Sequence, residues 1–177
     1  MEEKKPKKKR PFRRAYLEDF HRNVAGEYIY TGPTHTWVSP RGKSLAKLWL
    51  CGIGGLVAAL AAGCIPDCRM EQRPWALIPY VLALLFAGIQ IWKLYRLTDG
   101  GDPVRDYVWK ASVKPLPVLG ILTAALAGIA AAAELVNLLL PGFDGKILAA
   151  ILYILLELLV LVTALFLRRW VLRLKWS

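Results

Sequence analysis

The sequence predicts an all-α integral membrane protein: an antiparallel four-helix bundle preceded by a short amphipathic or extended N-terminal cytoplasmic arm. Hydrophobic residues make up 56% of the 177 residues, and most of them follow residue 44. They fall into four apolar runs, at residues 48–65, 75–94, 116–140 and 147–167. Because an α-helix rises ~1.5 Å per residue, about 20 apolar residues cross the ~30 Å hydrocarbon layer of a bilayer. Each run is therefore long enough to be a membrane span.

Basic residues are concentrated on one side of the predicted spans, which orients the chain. If the amino terminus is cytoplasmic, 21 of the 24 Lys and Arg residues lie inside, and Arg69, Arg73 and Lys146 lie outside. Since cytoplasmic loops carry the excess of basic residues, this predicts that both termini are cytoplasmic, in the plasma membrane. We therefore expect the basic residues behind the net charge of +11 to interact with a membrane surface and not with nucleic acid.

Residues 1–14 form a predicted polybasic tail that contains eight basic residues and two prolines. A segment with so few apolar residues cannot bury a core, so we expect it to be disordered in water. It is either a topology signal in a solvated tail or a tether to anionic lipids of the inner leaflet, at about 1 kcal/mol per basic residue. The residues assigned to the membrane surface are Lys7, Lys8, Lys9, Arg10, Arg13 and Arg14, with Phe12, Tyr16 and Phe20.

Residues 15–44 form the predicted cytoplasmic arm. Phe12, Tyr16 and Phe20 recur at four-residue steps, which predicts a short amphipathic helix over residues 12–23. Such a helix could lie at the cytoplasmic headgroups or pack on a partner subunit.

The second half of the arm favours extended structure. β-branched and aromatic residues alternate around Gly32 and Pro33, which predicts a small hairpin or extended segment over residues 27–39. His21 and His35 lack the acidic or cysteine neighbours of a metal site, and we expect both to be ordinary polar residues.

The first span, residues 48–65, carries small residues at helical spacing, with Trp49 at its inner interface. Small residues four apart let two backbones approach closely within lipid. The positions predicted to pack in this way, in the first and third spans, are Gly55, Ala59, Gly63, Gly120, Ala124 and Gly128.

The loop after the first span contains Cys68, four residues beyond Cys64. An oxidising compartment could join the two, and the spacing permits a disulfide without requiring one. Cys51, inside the span, is expected to act as a buried small hydrophobe.

The second span, residues 75–94, has one face that is smaller and more polar than the rest. Pro79, Ala83, Ala87 and Gln90 share this face, which we therefore expect to point inward. The sequence of the loop that follows this span predicts a short helix, with Asp102 as its N-cap and Pro103 at its first helical position.

The third and fourth spans, residues 116–140 and 147–167, carry Glu134 and Glu157. No Lys, Arg or His lies deep in any span, since Lys93 stands at the inner end of the second. A carboxylate facing lipid is expensive, and Glu134 lies at the edge of the small-residue side of its helix. Because burial disfavours the charged form, we expect both carboxyl groups to be protonated at neutral pH. The candidate intramembrane polar site comprises Glu134, Asn137, Tyr153, Glu157 and Gln90, with Tyr153 within hydrogen-bonding reach of Glu157.

Two functions remain open at this stage, and an enzyme is not favoured. The sequence contains no nucleophile elbow, zinc-binding helix motif or phosphate-binding loop, so we predict neither catalysis nor a metal or other cofactor. The favoured hypothesis is a non-catalytic accessory or assembly subunit of a larger membrane complex, or a homo-oligomer. In that case the glutamates donate interhelical hydrogen bonds. The alternative is a small proton- or cation-coupled transporter that uses Glu157 and Glu134.

Overall fold

The computed structural model describes residues 19–23, 26–66, 73–140, 143 and 145–177. The described chain is predominantly helical, with four helices long and apolar enough to cross a membrane. In chain order the elements are β1 (Phe20–Arg22), β2 (Tyr28–Tyr30), β3 (Thr34–His35), α1 (Arg41–Gly63), α2 (Pro74–Asp99), β4 (Val104–Arg105), α3 (Asp106–Ser112), α4 (Leu116–Leu139) and α5 (Ile147–Leu172). The predicted polybasic tail, with Phe12 and Tyr16, lies outside the described residues, as does Cys68.

Three of the four long helices continue past the predicted spans at the same end of the molecule. Helix α1 begins at Arg41 instead of residue 48, α2 runs on to Asp99, and α5 ends at Leu172. The extensions are rich in Lys, Arg and Leu, which all have high helix propensity. Hydropathy marks the apolar part of a helix, and so it missed these polar turns.

The four long helices contact one another in the order α1, α2, α4, α5 and back to α1. Small residues lie where the helices approach. A methyl group added at Gly55 of α1 would come 2.8 Å from Thr163 Oγ1 of α5, and one added at Gly120 of α4 would come 3.1 Å from the Ala164 carbonyl oxygen. Of the other predicted packing positions, Ala59 and Ala124 are buried, Gly63 lies against the Tyr80 hydroxyl, and Gly128 lies against Leu161.

The arm contains strands where the sequence predicted a helix. β1 pairs antiparallel with β2, with Phe20 opposite Tyr30 and their ring centroids 5.3 Å apart. The chain reverses through Gly26, whose φ of 87° lies in the region that glycine adopts most readily. The helix predicted over residues 12–23 is therefore wrong for residues 20–22, because Phe20 joins an aromatic pair across two strands.

Of the two alternatives predicted over residues 27–39, the extended segment agrees with strands β2 and β3, whereas the hairpin around Gly32 and Pro33 is wrong, since β3 pairs with β4 from the loop after α2. The Asp106 N–H donates a hydrogen bond to the Pro33 carbonyl at 3.0 Å. Val104 is fully buried in this pairing and must be extended. Helix α3 consequently begins at Asp106, and the predicted start at Asp102 and Pro103 is wrong.

Segments distant in sequence form a layer at the end of the long helices that carries the polar extensions. We define this layer, the cap, as residues 34–38, β4, α3 and residues 175–177. Thr36 and Ser177 exchange backbone hydrogen bonds of 3.0 and 3.2 Å, and the rings of Trp37 and Trp176 lie 4.4 Å apart. The cluster that joins the cap to the long helices consists of Leu48, Leu94, Leu97, Val104, Val108, Val113, Leu116, Leu167 and Val171.

Candidate functional site

Within the described residues, buried polar side chains lie mainly between the long helices. They are Gln90, Ser112, Thr123, Glu134, Asn137 and Glu157. Each must satisfy its polar atoms inside the protein or remain unsatisfied at a cost in free energy. Their hydrogen bonds therefore distinguish structural groups from groups available for chemistry.

Glu157 is completely buried on α5, and neither of its carboxylate oxygens has a hydrogen-bond partner among the residues that the structure describes. Its neighbours on the same buried face of the helix are Tyr153 and Val160. The hydrogen bond expected between Tyr153 and Glu157 is therefore absent. A buried carboxylate without a partner is strongly disfavoured, so this environment favours a carboxyl group that holds a proton or a cation.

Glu134 has a different environment, because Asn137 connects it to the start of α2. The Asn137 Nδ2 donates a hydrogen bond to Glu134 Oε2 at 3.0 Å. The Asn137 Oδ1 in turn accepts hydrogen bonds from Arg73 Nη1 at 2.8 Å and from Trp75 Nε1 at 3.1 Å. Arg73 precedes α2 and is thus linked through one amide to a fully buried carboxyl group.

These groups lie at increasing depth from the end of the helices opposite the cap. At ~1.5 Å per residue, Asn137 is about 3 Å and Glu134 about 8 Å from the last residue of α4. By the same measure, Tyr153 is about 9 Å and Glu157 about 15 Å from the first residue of α5. Fifteen ångströms is half the thickness of a bilayer's hydrocarbon layer. The polar groups thus extend from one end of the helices to their middle.

Gln90 is separate from this series, although the sequence grouped it with the glutamates. Its Nε2 donates hydrogen bonds to Thr123 Oγ1 and to the Leu119 carbonyl oxygen at 3.2 Å. Thr123 precedes Glu134 by about 16 Å along α4. Gln90 therefore ties α2 to α4 in the half of the helices nearer the cap.

Sequence reasoning missed Arg73 and Thr123 as members of polar contacts. Arg73 had a weak signal, because it is one of the few basic residues at the predicted outer end of the spans. Thr123 had none, since a single Thr in an apolar helix commonly bonds to its own backbone.

The cap contains a second polar cluster, around Asp106. Its Oδ1 lies 3.1 Å from His35 Nε2, and its Oδ2 lies 2.6 Å from Lys110 Nζ. Burial would raise the pKa of Asp106, but the hydrogen bonds from Lys110 and His35 outweigh it and lower the pKa below its ordinary value. The hydrogen bond to Asp106 raises the pKa of Lys110. His35, expected to be an ordinary polar residue, thus connects β3 to α3 and also stacks on Trp109 with centroids 4.6 Å apart.

Among the described residues, Cys51 and Cys64 form no disulfide, and Cys68, the predicted partner of Cys64, lies outside them. In the part of the chain that the structure describes, no three His, Cys, Asp or Glu side chains are grouped to hold a metal ion. Comparison of the chain with protein-family models, curated proteins and solved structures finds no match. The candidate site with the clearest chemistry is therefore the series of polar groups that ends at Glu157.

Proposed function

We propose that this chain is a small membrane transporter in which Glu157 binds a proton or a small cation at the middle of the bilayer. The observation that carries the proposal is the complete burial of a carboxyl group whose two oxygens have no hydrogen-bond partner in the described part of the chain. A purely structural glutamate would be expected to bond to a neighbouring helix. Ionisable groups buried within membrane spans commonly mark ion and proton pathways.

Membrane insertion is part of the proposal, and the surface of the long helices supports it. Their outward faces expose many large apolar side chains, including Leu50, Leu85, Ile129 and Leu148. In water such a surface would be an aggregation hazard, whereas in lipid it is the ordinary exterior of an antiparallel four-helix bundle. The proposed orientation has the cap and both termini in the cytoplasm, and the concentration of basic residues at that end of the helices supports it.

The mechanism we propose is competition between a proton and a second cation for the Glu157 carboxylate. When the proton leaves, the buried negative charge is unstable until a cation replaces it. Glu134 and Asn137 supply polar groups between Glu157 and the outer end of the helices, where Arg73 bonds to Asn137. Each exchange requires the helices to separate transiently at that end.

The test is proton flux in proteoliposomes that contain an internal pH dye, with imposed gradients of pH and of monovalent cations. Glu157→Gln keeps the size of the side chain but cannot titrate, and we expect flux to fall at least tenfold. Glu27→Gln, which alters an exposed carboxylate in the arm, is the matched control and should keep wild-type flux. Equal flux through the wild type and Glu157→Gln would refute the transport proposal.

The arm favours a second candidate function, an accessory subunit of a membrane complex. Tyr28 and Ile29 in β2 are 74% and 49% exposed, and Val38 is 59% exposed. Large apolar side chains exposed at a surface can mark a protein interface. Purification in mild detergent tests this candidate: a stoichiometric partner should be lost from Tyr28→Ser/Ile29→Ser and kept by Thr31→Ser. Recovery of a monomer or homodimer alone would contradict it.

A further inference from the structure

A basic cleft lies beside the cap, between the first turns of α1 and the last turn of α5. Its volume is approximately 260 Å³, and it is lined by Lys43, Lys47 and Arg173, together with Ser39, Ser44 and Trp170. Since a water molecule occupies ~30 Å³ of liquid, the cleft has room for roughly eight waters. That space fits a small polar headgroup better than a drug-sized ligand.

Among the described residues, no ion pair joins Lys43, Lys47 or Arg173 to a carboxylate. Asp106, the carboxylate of the neighbouring cap, is bound instead to Lys110 and His35. Lys47 Nζ lies 4.2 Å from the centroid of the Trp170 ring, and Arg173 Cζ lies 5.9 Å from the same centroid. The ring thus holds two positive charges at one edge of the cleft, where their mutual repulsion would be relieved by an anion.

The adjoining end of α1 adds to the positive potential. Pro40 precedes the helix and provides no side-chain cap. The first backbone hydrogen bond at this end runs from the Ser44 N–H to the Pro40 carbonyl at 3.1 Å. The N–H groups of the first turn are therefore left for an external acceptor, at the positive end of the helix dipole.

Apolar side chains continue from the cleft along the same two helices. Leu50, which follows Lys47 by one turn of α1, is 76% exposed, and Phe166, one turn before Trp170 on α5, is 48% exposed. In the proposed orientation they point into the hydrocarbon layer, while the cations lie at the inner headgroups. A free anion would contact only the cations of the cleft, whereas a lipid would contact the cations with its headgroup and the apolar side chains with an acyl chain.

We propose that this cleft binds the phosphate of an anionic phospholipid of the inner leaflet. Lys43, Lys47 and Arg173 contact the phosphate, and an acyl chain lies over Leu50 and Phe166. The site is distinct from Glu157 and requires only that the chain span a bilayer. It is also distinct from the polybasic tail, because its cations belong to α1 and to the end of α5.

The test is native mass spectrometry of the full chain in detergent, titrated with phosphatidylglycerol or phosphatidylcholine. We expect selective binding of phosphatidylglycerol, weakened about tenfold or more in Lys43→Gln/Lys47→Gln, since each basic residue near an anionic lipid contributes roughly a fivefold factor. Arg169→Gln/Lys175→Gln removes the same charge from exposed positions at the same end of the chain. This control should bind phosphatidylglycerol like the wild type.

Equal loss in the two double variants would show a diffuse charge effect and would overturn the site. Full displacement of phosphatidylglycerol by millimolar inorganic phosphate would show that the cleft binds a free anion and would overturn the proposal of a lipid ligand. Wild-type lipid binding by Glu157→Gln is expected whether or not Glu157 transports a cation, so the two proposals can fail separately.

Discussion

Two carboxyl groups of this molecule, Glu157 among the long helices and Asp106 in the cap, occupy opposite electrostatic environments. Asp106 is partly accessible and has a hydrogen-bonding partner at each oxygen, whereas Glu157 is fully buried and has none within the described ranges of the chain. The cap uses its carboxylate to join β3 to α3. The same functional group is thus a structural tie where the chain supplies its partners, and in Glu157, where the described residues supply none, it is the binding position that we propose.

The difference follows from the neighbours that each backbone segment provides. Asp106 has Lys110 one helical turn away, and the β3–β4 pairing brings His35 to its other oxygen. Glu157 lies in a helix whose neighbouring residues at three and four positions are Tyr153, Ile154, Val160 and Leu161. None of these carries a charge, so any counter-charge for Glu157 must come from outside the helix.

The largest expected effect comes from removing the unpartnered carboxyl group. Glu157→Leu should raise the free energy of unfolding by about 1–3 kcal/mol, because it replaces an unsatisfied buried polar group with an apolar side chain of similar size. Unfolding by denaturing detergent, followed by circular dichroism, measures the change. A clear loss of stability would show that Glu157 has a structural partner and would remove the contrast with Asp106.

The opposite sign is expected in the cap. Asp106→Asn should lower the stability of the cap by about 1 kcal/mol, since it weakens the ion pair with Lys110 and the hydrogen bond with His35. Hydrogen exchange of the amides in β3 and α3 reports the loss, with those in α4 as the internal reference. Unchanged protection of β3 would mean that the strand pairing holds the cap without Asp106.

The smallest expected effect is a dependence of the cap on pH. The lowered pKa of Asp106 means that the unfolded cap binds the proton more readily. Its contribution is therefore present above the ordinary value of ~3.9 and is lost as pH falls through the lower folded pKa. The raised pKa of Lys110 gives a contribution that is complete below ~10.4 and is lost as pH rises through the higher folded pKa.

The near-ultraviolet circular dichroism of Trp109, which stacks on His35, follows this behaviour. We expect a plateau at intermediate pH and a loss of signal below about pH 4. In Asp106→Asn the acidic transition should shift or disappear. An identical acidic transition in the variant would assign it to another group.

The long helices were predictable from sequence, because their signals are local. Length and apolarity located all four, and the helical spacing placed Ala83, Ala87 and Glu134 on faces that are in fact buried. The cap was not predictable, since its contacts join residues far apart in the chain. The pairing of Thr34 with Arg105 and of Trp37 with Trp176 leaves no periodic trace in either segment.

The candidate site was predictable in part for the same reason. A carboxyl group in an apolar run is visible without a structure, and Glu134 and Glu157 stood out on that basis. The bonds from Arg73 to Asn137 and from Gln90 to Thr123 connect different helices. They depend on how far each helix is shifted along its neighbour, which composition does not specify.

The backbone hydrogen bonds between Thr36 and Ser177 have a mechanical consequence. They fasten the segment that leads into the first long helix to the segment that leaves the last one, so the helices are clamped at the cap. Separating α1 from α5 at the cap would break these two hydrogen bonds and the contact between Trp37 and Trp176. We therefore expect the long helices to separate more at the end where Arg73 bonds to Asn137 than at the cap, which acts as the hinge.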